Sequence, residues 1–78
     1  MRSIIVTARW DPESRTWWTD GEDVSGLCCE GRSFEELSDA VFGLAAELLV
    51  ANGAAREGEQ VEIVLSAEQR KTVAAAAA

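Results

Sequence analysis

DVSGLCCEGRSFEELSDAVFGLAAELLVANG, residues 23–53, decides how the chain folds. It reads as a short strand, a tight turn and then the one long amphipathic helix of the sequence; the remainder reads as sheet for that helix to cover. Ser33 stands just before the periodic run and Glu36 follows three residues later. This is the capping-box spacing, in which the Ser33 hydroxyl accepts from the Glu36 amide and the Glu36 carboxylate reaches back to the Ser33 amide. Glu35, Glu36 and Asp39 put negative charge in the first turns, where the helix dipole favours it. Phe34, Leu37, Val41, Leu44, Ala45 and Leu48 recur at three- and four-residue steps and predict one apolar face. Asn52-Gly53 predicts the stop, since both residue types tolerate the left-handed conformation that closes a helix. About 18 residues at roughly 1.5 Å each make a rod of roughly 27 Å, the length of a strand of about eight residues. Phe42, Leu49 and Val50 fall on the flank of the stripe or beyond it. They predict either a helix buried over a broad arc or one that meets another chain.

Working outward, Arg2 to Trp10 alternates as a strand, with Ile4, Val6, Ala8 and Trp10 on one face and Ser3, Ile5, Thr7 and Arg9 on the other. The first face is the one expected under the helix. Asp11-Pro12-Glu13-Ser14 is a turn, because Asp11 bonds the backbone ahead of it and Pro12 fixes its own φ. Arg15 to Asp20 returns as a second strand, antiparallel to the first across so short a link. Trp17 and Trp18 are neighbours, so one points to the helix and the other away from it; the outward ring is a candidate protein-binding anchor. Val24 to Glu30 reads as a third strand, with Gly26 marking a bulge or a close backbone approach. Glu59 to Leu65 reads as the last strand, in which Val61, Ile63 and Leu65 alternate with Gln60, Glu62 and Val64.

The expected architecture is therefore α+β: a two-layer β-β-β-α-β unit with an antiparallel sheet and one helix on one face. The domain spans residues 1–66, and an Ala-rich C-terminal tail, residues 67–78, is expected as a short helix or a frayed end. The uncovered face of such a sheet, or an unpaired edge, is where self-association is expected. Ile5, Trp17, Trp18, Phe42, Leu49 and Val64 are the interface candidates.

With 78 residues the chain is one domain, and a domain of that size buries only about 60% of its unfolded surface, which favours oligomers. An apolar fraction of 47% suffices for a core, and the net charge of −7 argues against nucleic acid or an anionic membrane while permitting a basic partner. Neither a leader segment nor an apolar run near 18 residues is read, so a cytoplasmic location is expected. Cys28 and Cys29 are adjacent; on a strand their sulfurs diverge, and they read as small apolar residues of a reducing compartment. The sequence has no histidine, which removes the commonest general base and metal ligand. Asp11, Glu13, Asp20, Glu22 and Asp23 lie in turn-like stretches without a nucleophile or base beside them, so neither catalysis nor a cofactor is expected.

The run from Asp23 to Leu49 resembles the central motif of HicB-like antitoxins. Asp23, Val24, Gly26, Leu27, Glu30, Gly31, Ser33, Glu35 and Glu36 match that motif in place, and Ser25 stands where proline is usual. Trp10-Asp11-Pro12-Glu13 and Trp17 resemble a small group of uncharacterised bacterial domains beside HicB. The resemblance covers about residues 2–65. It implies a partial double-stranded-RNA-binding-like fold of β-β-β-α-β order, and a role in blocking a small basic toxin. Full HicB antitoxins add a C-terminal DNA-binding segment that residues 66–78 do not resemble, so operator binding is not expected. The function expected is thus a protein-interaction module, antitoxin-like and homo-oligomeric, taking a small basic partner. The alternative is a small-molecule or peptide binder using an aromatic face of Trp10, Trp17 and Trp18.

Overall fold

In the computed structural model of the protein, which describes residues 1–77, the alternation at the start of the chain becomes strand β1, Arg2–Asp11. Asp11 then closes the turn. Its carboxylate accepts from the Glu13 amide at 3.0 Å and from the Ser14 hydroxyl at 2.9 Å. β2, Thr16–Trp18, returns antiparallel with Trp10 opposite Trp17, and β3, Glu30–Gly31, lies antiparallel to β2 with Trp17 opposite Gly31. Helix α1 spans Phe34–Ala51 and β4 spans Val61–Glu68.

The sheet order is β3-β2-β1-β4, and β4 lies parallel to β1 from Arg2 opposite Val61 to Arg9 opposite Glu68. The sheet is therefore mixed, where an antiparallel one was expected. The reason is directional: two reversals set β3 running with β1, α1 carries the chain back across the sheet, and β4 sets off in the direction of β1, beside which it docks. The two-layer arrangement with one helix on one face stands as expected.

The third strand is shorter than its apolar run predicts. Only Glu30–Gly31 pairs, and Val24 to Leu27 forms a turn in which the Leu27 amide donates to the Val24 carbonyl at 2.9 Å. Gly26, at φ +85°, makes that turn, in place of the expected bulge. Val24 and Leu27 are buried nonetheless, supplied to the core by a loop. β4 begins and ends later than Glu59–Leu65, running two residues beyond the boundary expected at residue 66. Residues 69–77 contain no helix, turn or bend, so the helical reading of the Ala-rich tail does not apply to them; Ala78 lies outside the described residues.

The Ser33 hydroxyl caps α1 as the spacing predicts, accepting from the Glu36 amide at 3.0 Å. At the other end the Ala54 amide donates to Leu49 O and the Gly53 amide to Val50 O, with Gly53 at φ +71°: a Schellman closure. That closure folds residues 53–55 back beside Leu49, which is buried in the core and is not the interface residue expected. The buried seam of α1 is Leu37, Val41, Ala45 and Leu49, facing Val6, Ala8, Val24 and Leu27. Leu44 and Leu48 flank it.

Gly31 sets the seating of the helix. A Cβ there would lie 2.6 Å from the Leu37 amide nitrogen, a backbone atom that cannot swing aside. Gly31→Ala is expected to cost about 1–3 kcal/mol of unfolding free energy as an overpacking change, and Ser33→Ala about 1 kcal/mol as a lost cap. Denaturant titrations with unchanged m-values check both.

Candidate functional site

β1 and β4 present two different faces. Val6 and Ala8 turn inward beneath α1, with Ile4, Val61, Ile63 and Leu65 half-buried beside them. On the reverse, the register places Ile5 beside Val64 and Ser3 beside Glu62. A cross-sheet row runs Glu30, Trp18, Arg9, Glu68. Ile5 is 59% exposed and Val64 38%, a surface step between two apolar side chains. The Arg9 guanidinium lies 5.9 Å from the centroid of the Trp18 ring and 4.0 Å from Asp20, so Trp18 is stacked and held flat on this open face. Ser3 donates to Glu62 at 2.8 Å. The result is an apolar pair of Ile5 and Val64 and, four residues further along β1, the Trp18 ring beside Arg9, with the carboxylates of Glu30, Glu62 and Glu68 on the same face.

Trp17 is on the other side. Its ring meets Phe34 edge-on at 5.6 Å and Trp10 at 5.3 Å, packed against the core. It is not an outward anchor, because it stands opposite Trp10, on the face of Val6 and Ala8 that turns to the helix. Trp10 and Trp17 thus share one face and Trp18 takes the other, so the three rings do not form a single aromatic wall. Of the interface candidates, Ile5, Trp18 and Val64 share the open face, where Ile5 and Val64 are neighbours; Phe42 is exposed elsewhere, and Trp17 and Leu49 belong to the packed side.

A groove of about 520 Å³ opens where α1 leaves β4 incompletely covered. Phe42, Ala46, Val50, Val61 and Ile63 line it, with Leu49 at its floor, and Phe42 and Val50 remain 48% and 45% exposed. The flank position of Phe42 and Val50 pointed to this surface; its closure by β4 could not be read without the parallel pairing.

Thr19 holds the loop between β2 and β3. Its buried hydroxyl donates to the Leu27 carbonyl at 2.6 Å and accepts from the Cys29 amide at 3.0 Å, while its own amide donates to the Cys29 carbonyl at 2.9 Å. The sequence reading passed over it, although alternation already put Thr19 on the face of Trp17. Cys28 is exposed, with its thiol 3.5 Å from Asp20 O; Cys29 is half-buried. Burial pushes the Cys29 thiol above its ordinary pKa, outweighing the Thr19 hydrogen bond that lowers it, with the neighbouring Cys28 adding a smaller upward push. The carboxylates of Asp11, Asp20 and Asp23 serve the backbone: Asp20 accepts from the Glu22 amide and Asp23 from the Thr7 amide on β1. Among the described residues, no group of three or more acidic, cysteine or histidine side chains is placed to hold a metal ion, and no helix is long and apolar enough to cross a membrane.

Four strands layered under one helix, with one sheet face open, define a small two-layer α+β domain. The model of the family described as "Domain of unknown function (DUF1902)" matches residues 3–76, and the chain belongs to that family. The crystal structure of hypothetical protein TTHA1013, from the extremely thermophilic bacterium Thermus thermophilus, is similar: it is 38% identical, with 92% of this chain and 99% of that chain covered and a TM-score of 0.76. Among curated proteins none matches the sequence.

Thr19→Val keeps the shape but leaves Leu27 O and the Cys29 amide without their partner. It is expected to cost about 1–3 kcal/mol, read by denaturant unfolding. In the native protein, iodoacetamide is expected to modify Cys28 ahead of Cys29. The Cys29 rate should rise only at a pH above that of an ordinary thiol, which mass spectrometry across a pH series checks.

Proposed function

We propose that this domain is a protein-interaction module that self-associates and binds a small basic protein through the open face of its sheet, in the manner of an antitoxin. The observation that supports the reading is one open sheet face that carries Ile5, Val64 and Trp18 among the carboxylates of Glu30, Glu62 and Glu68. Apolar side chains set among charged ones are the make-up of a protein interface, and a tryptophan beside the Arg9 guanidinium is a candidate anchor. The net charge of −7 selects a basic partner and speeds its approach. The resemblance of residues 23–49 to the HicB-like motif supports the antitoxin version. A binding role is favoured over turnover because the carboxylates of Asp11, Asp20 and Asp23 accept from backbone amides.

The test is affinity capture from the native host with the full chain, followed by titration of the recovered partner. A small basic protein is expected, bound more weakly as salt rises. Trp18→Ala and Ile5→Asp should each weaken it roughly tenfold or more, as losing an anchor of about 1.4 kcal/mol or above does. Recovery of an acidic or large partner, or affinities untouched by both substitutions, would count against the reading.

A further inference from the structure

We propose that two copies of this chain pair through the free edge of β4, antiparallel about a twofold axis at Ser66, so that each copy's residues 69–73 lie along the other's groove between α1 and β4. The proposal rests on the self-association in the reading above and gives it a place and a register.

Three observations converge on it. β4 is the outer strand of the sheet, paired on one side only, by β1. An edge of eight residues with open amides and carbonyls is a template for another strand. The same strand has an apolar groove along its helix side, with Phe42 and Val50 exposed beside Val61 and Ile63. Lastly, the chain stretches far beyond what its core needs. A compact chain of this length has a radius of gyration of about 11.5 Å, whereas this one has 15.1 Å and a long axis of 55 Å. Residues 61–77 at roughly 3.3 Å each cover about 56 Å, and neither turn nor bend interrupts residues 69–77. β4 is paired along one side by β1, and its continuation, residues 69–77, runs on without strand pairing.

Charge selects the partner and the register. In a symmetric antiparallel pair, opposed residues share a face, so the sum of their numbers is even. A twofold axis at Leu65 would set Glu62 against Glu68 of the second copy, twice. Moving the axis to Ser66 sets Glu62 against Arg70, twice, with Ser66 against itself. Arg70 is exposed, held only by a surface pair with Glu68 at 3.0 Å in its own strand, so it is free to serve both carboxylates. On the helix side the same register puts Leu65 against Ala67, Ile63 against Gln69 and Val61 against Lys71. It sets Val73, which is 74% exposed, opposite Glu59 at the mouth of the groove. The axis stands perpendicular to the sheet, so both helices cover one face of a continuous eight-stranded sheet, and both open faces look the same way.

Light scattering with the full chain is expected to give a dimer at micromolar concentration. Glu62→Arg and Arg70→Glu should each raise the dissociation constant roughly tenfold or more, because each sets like charges opposite one another twice. The double variant should restore it to near that of the original chain. A nitroxide on Ser66→Cys, in a chain with Cys28 and Cys29 replaced by serine, should give the shortest inter-copy distance of any β4 position. A chain that stays monomeric would overturn both this pairing and the self-association it rests on. A dimer indifferent to the two single charge reversals would overturn the pairing alone. A dimer weakened by each reversal and not restored by the double variant would overturn the register. Both substituted sites are exposed, and circular dichroism checks that the variants stay folded.

Discussion

The close approach of β3 to the first turn of α1 at Gly31 governs the rest of the molecule. With no side chain at Gly31, the Leu37 backbone settles onto the strand. The ring of Trp17, across the sheet from Gly31, then packs edge-on against Phe34. The helix is thereby fixed at the β3 end of the sheet, and its seam from Leu37 to Leu49 falls on Val6, Ala8 and the loop residues Val24 and Leu27. β4 lies on the opposite side of β1, where Val61, Ile63 and Leu65 reach the margin of the core and stay half-buried. A rod roughly 10 Å across covers about two strands spaced by roughly 4.8 Å, so a helix seated toward β3 leaves the outer strand β4 incompletely covered.

Elements that depend on one local signal were legible in the sequence. The alternation of Ile4, Val6 and Ala8, the Ser33 cap, the Asp11 turn and the Gly53 stop each rest on neighbours within about four residues, and each appears in the structure where its signal lies. Features that depend on a distant choice were not. Leu27 and Val24 are apolar for the same reason as strand residues, burial, so a buried loop tied by Thr19 carries the same pattern as a strand. Which face Trp17 takes was decided by its register opposite Trp10 on β1, which alternation within either strand does not fix. The parallel docking of β4 required the spatial strand order, and without it the edge and the groove could not be placed. For the open face, alternation alone gave Ile5 and Val64. Their adjacency, and the stacking of Trp18 under Arg9, came from register.

The two sides of the sheet differ in what they contribute to stability. On the helix side, fully buried Leu27, Leu37, Val6 and Val41 supply the apolar burial a chain of this size has available. The polar contacts there are satisfied, with no buried side-chain polar atom left without a partner among the described residues. The open face carries none of that core, and its ionic pairs are surface pairs that contribute little to folding. Substitutions at its exposed positions are therefore expected to change folding energy little.

That difference has a consequence for how a domain this small holds together. With about 60% of its surface buried on folding, net stability is narrow, and anything that binds only the folded form adds to it by mass action. A strand added at the β4 edge acts on a strand that is paired on one side only. β4 is anchored through β1 and is covered by the helix along one flank only, so edge pairing would supply its missing hydrogen bonds and close the groove over Ile63 together. Folding and assembly would then draw on the same residues. The open face is different: it lies on the far side of the sheet from the groove, so a partner docked over Ile5 and Trp18 leaves the edge clear, and both surfaces can be occupied in one complex.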